Sequence, residues 1–253
     1  MDAEKRIPYL GTFYHNHFIN MATLLTVISD KDDLELLMPP ALALSKAFGY
    51  NILVTTFLDQ DPSKKGTWPS YENVEYFTSA QNILTTIGQF TEDLNRDIQL
   101  VMLSEKAVSL RRKRKAIKKL SALRKLKVPY LIVPETVLPA WQPENIYFPL
   151  CLREGEKEAS AWAGHWTKYN FSHLKIIYPV FKNPDQQKRL WTVFLFVERL
   201  LDRANIPYQT QAQGHRQKEI CNTLPEILKS TGQNLIIFPT TRYYSPEYYF
   251  AGP

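Results

Sequence analysis

Two cations occupy matching places in this chain. Lys106 follows the apolar run IQLVML (98–103), and Arg242 follows NLIIFP (234–239), each by three residues. In α/β folds a ligand sits outside the carboxyl end of the strands. A cation in the loop after a strand can therefore hold an anion, and Arg does so bidentately; a solvated loop side chain is the alternative. Ser29 and Cys151 end two further apolar runs, TLLTVIS and NIYFPLC. A hydroxyl and a thiol are nucleophile types, but neither has an assignable base. The chain carries no Gly-Lys-Ser/Thr phosphate loop, GxGxxG, GxSxG or HExxH. Cys151 and Cys221 lack metal-type spacing and read as buried reduced thiols. His15 and His17 have no third ligand nearby. These residues point away from an enzyme and from a metal protein.

The second chemical feature is a charge run. Residues 106–127 hold eleven Lys or Arg and no acid, while the rest of the chain has 20 basic and 25 acidic residues. The net charge of +6 thus belongs to one segment of a mildly acidic protein. Arg111, Arg112, Lys113, Arg114, Lys115, Lys118 and Lys119 form its basic patch. Leu110, Ile117, Leu120 and Leu123 supply an apolar stripe, so the segment is expected to be a helix. Such a face suits an anionic membrane surface, a nucleic-acid backbone or an acidic partner; a solvated outer face of a wound sheet is the other reading. No aromatic stacking motif is interleaved with it.

The elements that must position these residues alternate. Strands are expected at 23–29, 51–58, 73–78, 98–103 and 128–133, with helices at 34–48, 81–95 and 106–127 between them. Pro39 and Pro40 predict a kink or a late start in the first helix. Residues 134–143, with three prolines, read as a linker. The pattern restarts with strands at 145–150, 173–179, 208–212 and 234–239 and helices at 154–169, 184–204 and 217–230. Trp162, Trp166 and Trp191 are expected in the core. Tyr243, Tyr244, Tyr248, Tyr249 and Phe250 would form an interface or shield the sheet end. Strand–helix alternation means α/β with a parallel sheet. The expected division is an extension at 1–22, a first unit at 23–133, a linker at 134–144, and a second unit at 145–253 without its last helix and strand. No apolar run approaches the ~20 residues of a membrane helix, and the N-terminus has no signal-type apolar core, so the expected location is cytoplasmic.

Further spacing carries a resemblance. Leu103, Lys106 and Ala116 are separated by x2 and x9, as are Pro239, Arg242 and Gly252. LLTVISDKD (24–32) and IYFPLCLRE (146–154) open the two units alike, and Lys46-Ala47-Phe48-Gly49 falls at the first helix end. This pattern resembles the universal stress protein family, with its G-x2-G-x9-G-S/T loop. The resemblance implies two doubly wound, Rossmann-like units of the adenine nucleotide alpha hydrolase type in tandem. It places the family's nucleoside-binding aspartate at Ser29 or Cys151, with Asp30 one residue away, and its adenine contact at Phe57 or Pro179. The phosphate loop maps onto Leu103, Lys106, Ala116 and Ile117, and onto Pro239, Arg242, Gly252 and Pro253. Only Gly252 among the six loop positions is glycine, and bulk elsewhere stands where a backbone must approach phosphates. The expectation is therefore a non-catalytic, stress-related binding or regulatory protein without a cofactor. An adenine nucleotide or other anion held by Lys106 or Arg242 is the alternative. The resemblance also implies a homodimer or pairing of the two repeats, with a protein partner possible.

Overall fold

A computed structural model describes residues 22–57, 69–93, 95–109, 113–126, 128–135, 143–153, 155–170, 172–229 and 233–239. The first unit runs β1 (Thr23–Ile28), α1 (Lys31–Phe48), β2 (Asn51–Thr56), β3 (Val74–Thr78), α2 (Ile83–Glu92), β4 (Ile98–Ser104), α3 (Glu105–Val108), α4 (Lys113–Leu123) and β5 (Tyr130–Val133). The second runs β6 (Asn145–Pro149), α5 (Glu156–Asn170), β7 (His173–Tyr178), α6 (Pro184–Arg203), β8 (Tyr208–Ala212), α7 (Gln217–Lys229) and β9 (Asn234–Ile236). The sheet orders are β3-β2-β1-β4-β5 and β8-β7-β6-β9. Every pairing is parallel. The shared order around β1 and β6 makes each unit a Rossmann-like α/β layer, with strand order reversing beside the first strand.

Residue parity explains the layers, because successive strand side chains point to opposite faces. Leu24, Ile28, Ile52, Val54, Leu100 and Met102 turn toward α1. Leu25, Val27, Leu53, Val101 and Leu103 join a second cluster with Ile87, Phe90 and Leu123. In the second sheet Ile146, Phe148, Leu174 and Ile176 belong to the same core cluster as α1. One core thus runs from the first sheet to the second. At its edge Phe48 stacks on His165 at 5.2 Å and meets Trp166 at 5.6 Å and Tyr169 at 5.3 Å. Gly164 lets α6 approach α5. A Cβ there would stand 3.1 Å from both Leu201 Cδ2 and Ile206 Cδ1.

The helix ends follow capping chemistry. Asp30 caps α1 by accepting from Asp33 N at 3.1 Å, and Gly49, at φ 71°, closes it with a bond to Ser45 O. Asn183 caps α6 ahead of Pro184, whose missing N–H is no loss at the first helical position.

Several expectations change. The helix α1 starts at Lys31, earlier than the predicted 34, and runs unbroken through Pro39 and Pro40. Those two residues leave Glu35 and Leu36 without their helical donors, yet burial of Leu37, Met38, Ala41 and Leu44 holds the helix on the sheet. The basic segment is not one helix: Ser109 adopts φ 60° and ends α3, and α4 begins at Lys113. Trp166 is buried and Trp162 half-buried, but Trp191 is 41% exposed beside exposed Leu195 and Phe196. It flanks the inward side of α6, which is Leu190, Phe194, Val197 and Leu201, and its ring meets Phe194 at 5.2 Å and Tyr178 at 5.8 Å. The aromatic cluster at 243–250 lies outside the described residues. No helix among the described residues is long and apolar enough to cross a membrane.

Candidate functional site

Both sheets present their carboxyl ends to a β–α corner, and a carboxylate folds back on the strand end in each. In the first unit Ser29 donates its N–H to Asp33 Oδ2 at 2.9 Å, and its hydroxyl donates to the same oxygen. Asp30 pairs with Lys106, whose ammonium also lies 4.0 Å from Asp32. Burial works against the Asp30 charge, but the Lys106 hydrogen bond and the Asp33 N–H outweigh it and hold the carboxyl below its ordinary range. The hydrogen bond to Asp30 raises the Lys106 pKa in turn. The structure thus joins two of the anticipated residues, but as partners of each other.

The loop expected to wrap phosphates has become a capped turn. Leu103 is a buried residue of β4 and Ala116 a buried residue of α4. Ser104 Oγ accepts from Ala107 N at 3.0 Å, and Ser109 N donates to Lys106 O at 2.9 Å. These bonds use N–H groups that a phosphate would need. Lys119 donates to Ala107 O at 2.6 Å and to Ser109 Oγ at 3.0 Å, closing the same turn. Burial, then Lys115, pulls its pKa down. Arg114, Lys115 and Lys118 remain exposed on α4. The cavity beside the turn is apolar and holds about 20 Å³, lined by Leu103, Ala107, Val108 and Lys119. Ligand pockets usually need roughly 300–1,000 Å³. Phe57 is half-buried against the second core cluster.

The second unit differs. Cys151 is fully buried at the end of β6, where the resemblance puts an aspartate. Its N–H donates to Glu156 Oε1, at the start of α5, and its carbonyl accepts from Gln217 Nε2 of α7. Leu152 at φ 56° and Gly155 at φ 87° turn the chain sharply between them. Cys221 lies one turn beyond Gln217 on α7, facing the Cys151 thiol closely enough for the two to titrate together. Arg153 lies over the Phe238 ring at 4.3 Å, and its charge acts on Cys221. Pro179 is buried at the end of the neighbouring strand.

Electrostatics separates these groups. Burial raises the Glu156 carboxyl to about 7, against the lowering effect of the Cys151 and Arg153 N–H groups and the Arg153 charge. The hydrogen bond from Cys151 brings the Cys221 thiol down to about 6, with Arg153 assisting against burial. The same bond, with burial, pushes Cys151 well up. Glu156 Oε2 and Arg153 Nη2 are buried without hydrogen-bond partners. A half-buried thiolate, a buried thiol, a cation and a carboxyl near neutrality form a cluster suited to thiol chemistry.

Sequence reasoning named Cys151 but not Arg153, Glu156, Gln217 or Cys221 as its partners. Cys221 is half-buried, not buried as expected. The i, i+4 spacing of Gln217 and Cys221, which puts both on one helix face, was the available signal. Pairing with a residue 70 positions away had none. Arg242, Gly252, Arg111 and Arg112 lie outside the described residues, and the structure describes no Lys113 side chain. Among the described residues no cluster of three or more His, Cys, Asp or Glu has the form of a metal site. A groove of about 540 Å³ lies on the open face of the second sheet beside α7, between Tyr147, Lys175, Gln209, Gln211, Thr223 and Glu226. No protein-family model matches the chain, and comparison with curated proteins finds no match.

Proposed function

We propose that the chain is a non-catalytic, stress-related binding and regulatory protein, built as two units of the universal stress protein type. The observation that carries this reading is the Asp30–Lys106 pair over the capped turn 104–109. The corner that would take a nucleotide is occupied by side chains bonded to one another. Three carboxylates, Asp30, Asp32 and Asp33, share it with one lysine. That balance repels a triphosphate. The parallel-sheet scaffold is then a platform for contacts elsewhere, such as Trp191, Leu195 and Phe196 exposed on α6.

Calorimetric titration of ATP, ADP and AMP into the full chain tests this. The expected result is no binding heat and no rise in melting temperature at high nucleotide concentration. Saturable binding lost in Lys106→Ala would overturn the reading and make the lysine a phosphate contact. Binding lost only in Arg242→Ala would overturn it through the second unit.

A further inference from the structure

We propose that Cys151 and Cys221 are a redox pair, in which a peroxide oxidises Cys221 and Cys151 resolves the product into an intrachain disulfide joining β6 to α7.

Two contacts and one helical spacing bring the two sulfurs together. Gln217 Nε2 binds the carbonyl of Cys151, which fixes the first turn of α7 over the end of β6. Cys221 is four residues further along and shares that helix face. Ile220, the residue before it, packs in one small cluster with Cys151 and Ile177. Each thiol shifts the titration of the other, as close neighbours do, and both are free.

The roles follow from exposure. Cys221 is half-buried and within reach of a small oxidant, whereas Cys151 is 0% exposed and reachable only by its neighbour. Arg153 supplies positive charge at Cys221, which favours thiolate and the anion that leaves the peroxide. Its unpartnered, buried Nη2 gives that charge a free donor.

The chemistry balances. The Cys221 thiolate attacks one peroxide oxygen; an S–O bond forms, the O–O bond breaks, and hydroxide leaves to become water. Cys221 is then a sulfenic acid. The Cys151 sulfur attacks Cys221 Sγ; the S–S bond forms, the S–O bond breaks, and the departing hydroxide takes the Cys151 proton. Two thiols are oxidised by two electrons, and one peroxide is reduced to two waters.

The test uses the full reduced chain and one equivalent of hydrogen peroxide, followed by alkylation and non-reducing peptide mass mapping. The expected product has lost two hydrogens and both titratable thiols, and contains a linked 151–221 peptide pair. In Cys151→Ser the reaction should halt at a dimedone-reactive sulfenic acid on Cys221. In Cys221→Ser the Cys151 thiol should stay reduced. Circular dichroism checks that each variant is folded; if one is not, the wild-type peptide map decides alone. Two free thiols after peroxide, disulfides only between chains, or normal oxidation of Cys151 in Cys221→Ser would each overturn the proposal.

Discussion

Glu156→Gln should remove a pH-dependent loss of stability. Glu156 is 2% exposed, and burial raises its carboxyl from 4.5 to about 7. Between those values the unfolded chain has released the proton while the folded chain still holds it. Stability contributed by the protonated form is therefore complete below 4.5 and is lost as pH rises through 7. At 1.36 kcal/mol per pKa unit the loss amounts to about 3 kcal/mol, after which the curve flattens. Glutamine keeps an oxygen to accept the Cys151 N–H and never ionises, so it isolates the titration from the contact. Cys221 titrates in a neighbouring window with the opposite sign. Its depressed pKa adds stability as pH rises from about 6 toward its unfolded value. A Cys221→Ser background in both proteins removes it. Urea unfolding from about pH 4.5 to about pH 8 supplies the free energies, with m-values checked for constancy. The wild-type minus variant difference should fall by about 3 kcal/mol across the range. Parallel profiles would mean that Glu156 ionises as a solvated group does, and the buried-carboxyl argument would fail.

Other substitutions test separate parts of the structure. Cys151→Ala should move the midpoint of Cys221 thiolate formation, read by absorbance at ~240 nm, upward from about 6 toward the ordinary ~8.5, because the principal cause of its lowering is gone. An unmoved midpoint would assign the effect to Arg153. Trp166→Ala, at the junction of α1 and α5, should cost about 3–5 kcal/mol in urea unfolding and lower the melting temperature of the whole chain in one transition. Two separated transitions would show that the units unfold independently. Pro39→Ala restores one donor inside α1 and should stabilise by about 1–2 kcal/mol, less than the full ~3 kcal/mol propensity difference because Pro40 remains. A lower urea midpoint would mean that the proline ring packs better than the helix tolerates it.

The layered fold was legible because its signals are local. Continuous runs such as TLLTVI and IQLVML mark strands buried on both faces, and Asn183-Pro184 and Gly49 mark helix ends within a few residues. The break at Ser109 was hidden because serine rarely signals a left-handed residue; the Lys119 contact that closes the turn comes from ten positions away. Trp191 is expected in the core because tryptophan usually is, yet helical phase sets it about a quarter-turn from the buried stripe, at the margin where its ring meets Phe194 and Tyr178 but stays partly in water. The thiol cluster was the least legible part. Its members lie on β6, on α5, on α7 and on the turns between, and only the crossover that lays α7 beside β6 assembles them.

The two corners are answers to one geometrical demand. A parallel strand that ends under a helix leaves its last amide facing into the corner, and some acceptor must take that N–H. Asp33 does so for Ser29 and Glu156 does so for Cys151. An added carboxylate is a liability unless its charge is settled. In the first unit Lys106 offsets the acidic corner by pairing with Asp30, and the site becomes an ion network exposed to water. In the second, burial settles the carboxyl instead by holding its proton, while the nearest cation, Arg153, turns to the thiol pair. The change from serine to cysteine at equivalent strand ends is thus coupled to how each corner disposes of charge. A cysteine at position 29 would face the buried Asp33 carboxylate, whose negative charge disfavours thiolate. Only the second corner combines a buried sulfur with a guanidinium whose charge acts on a thiol, so reactive thiol chemistry belongs to that unit.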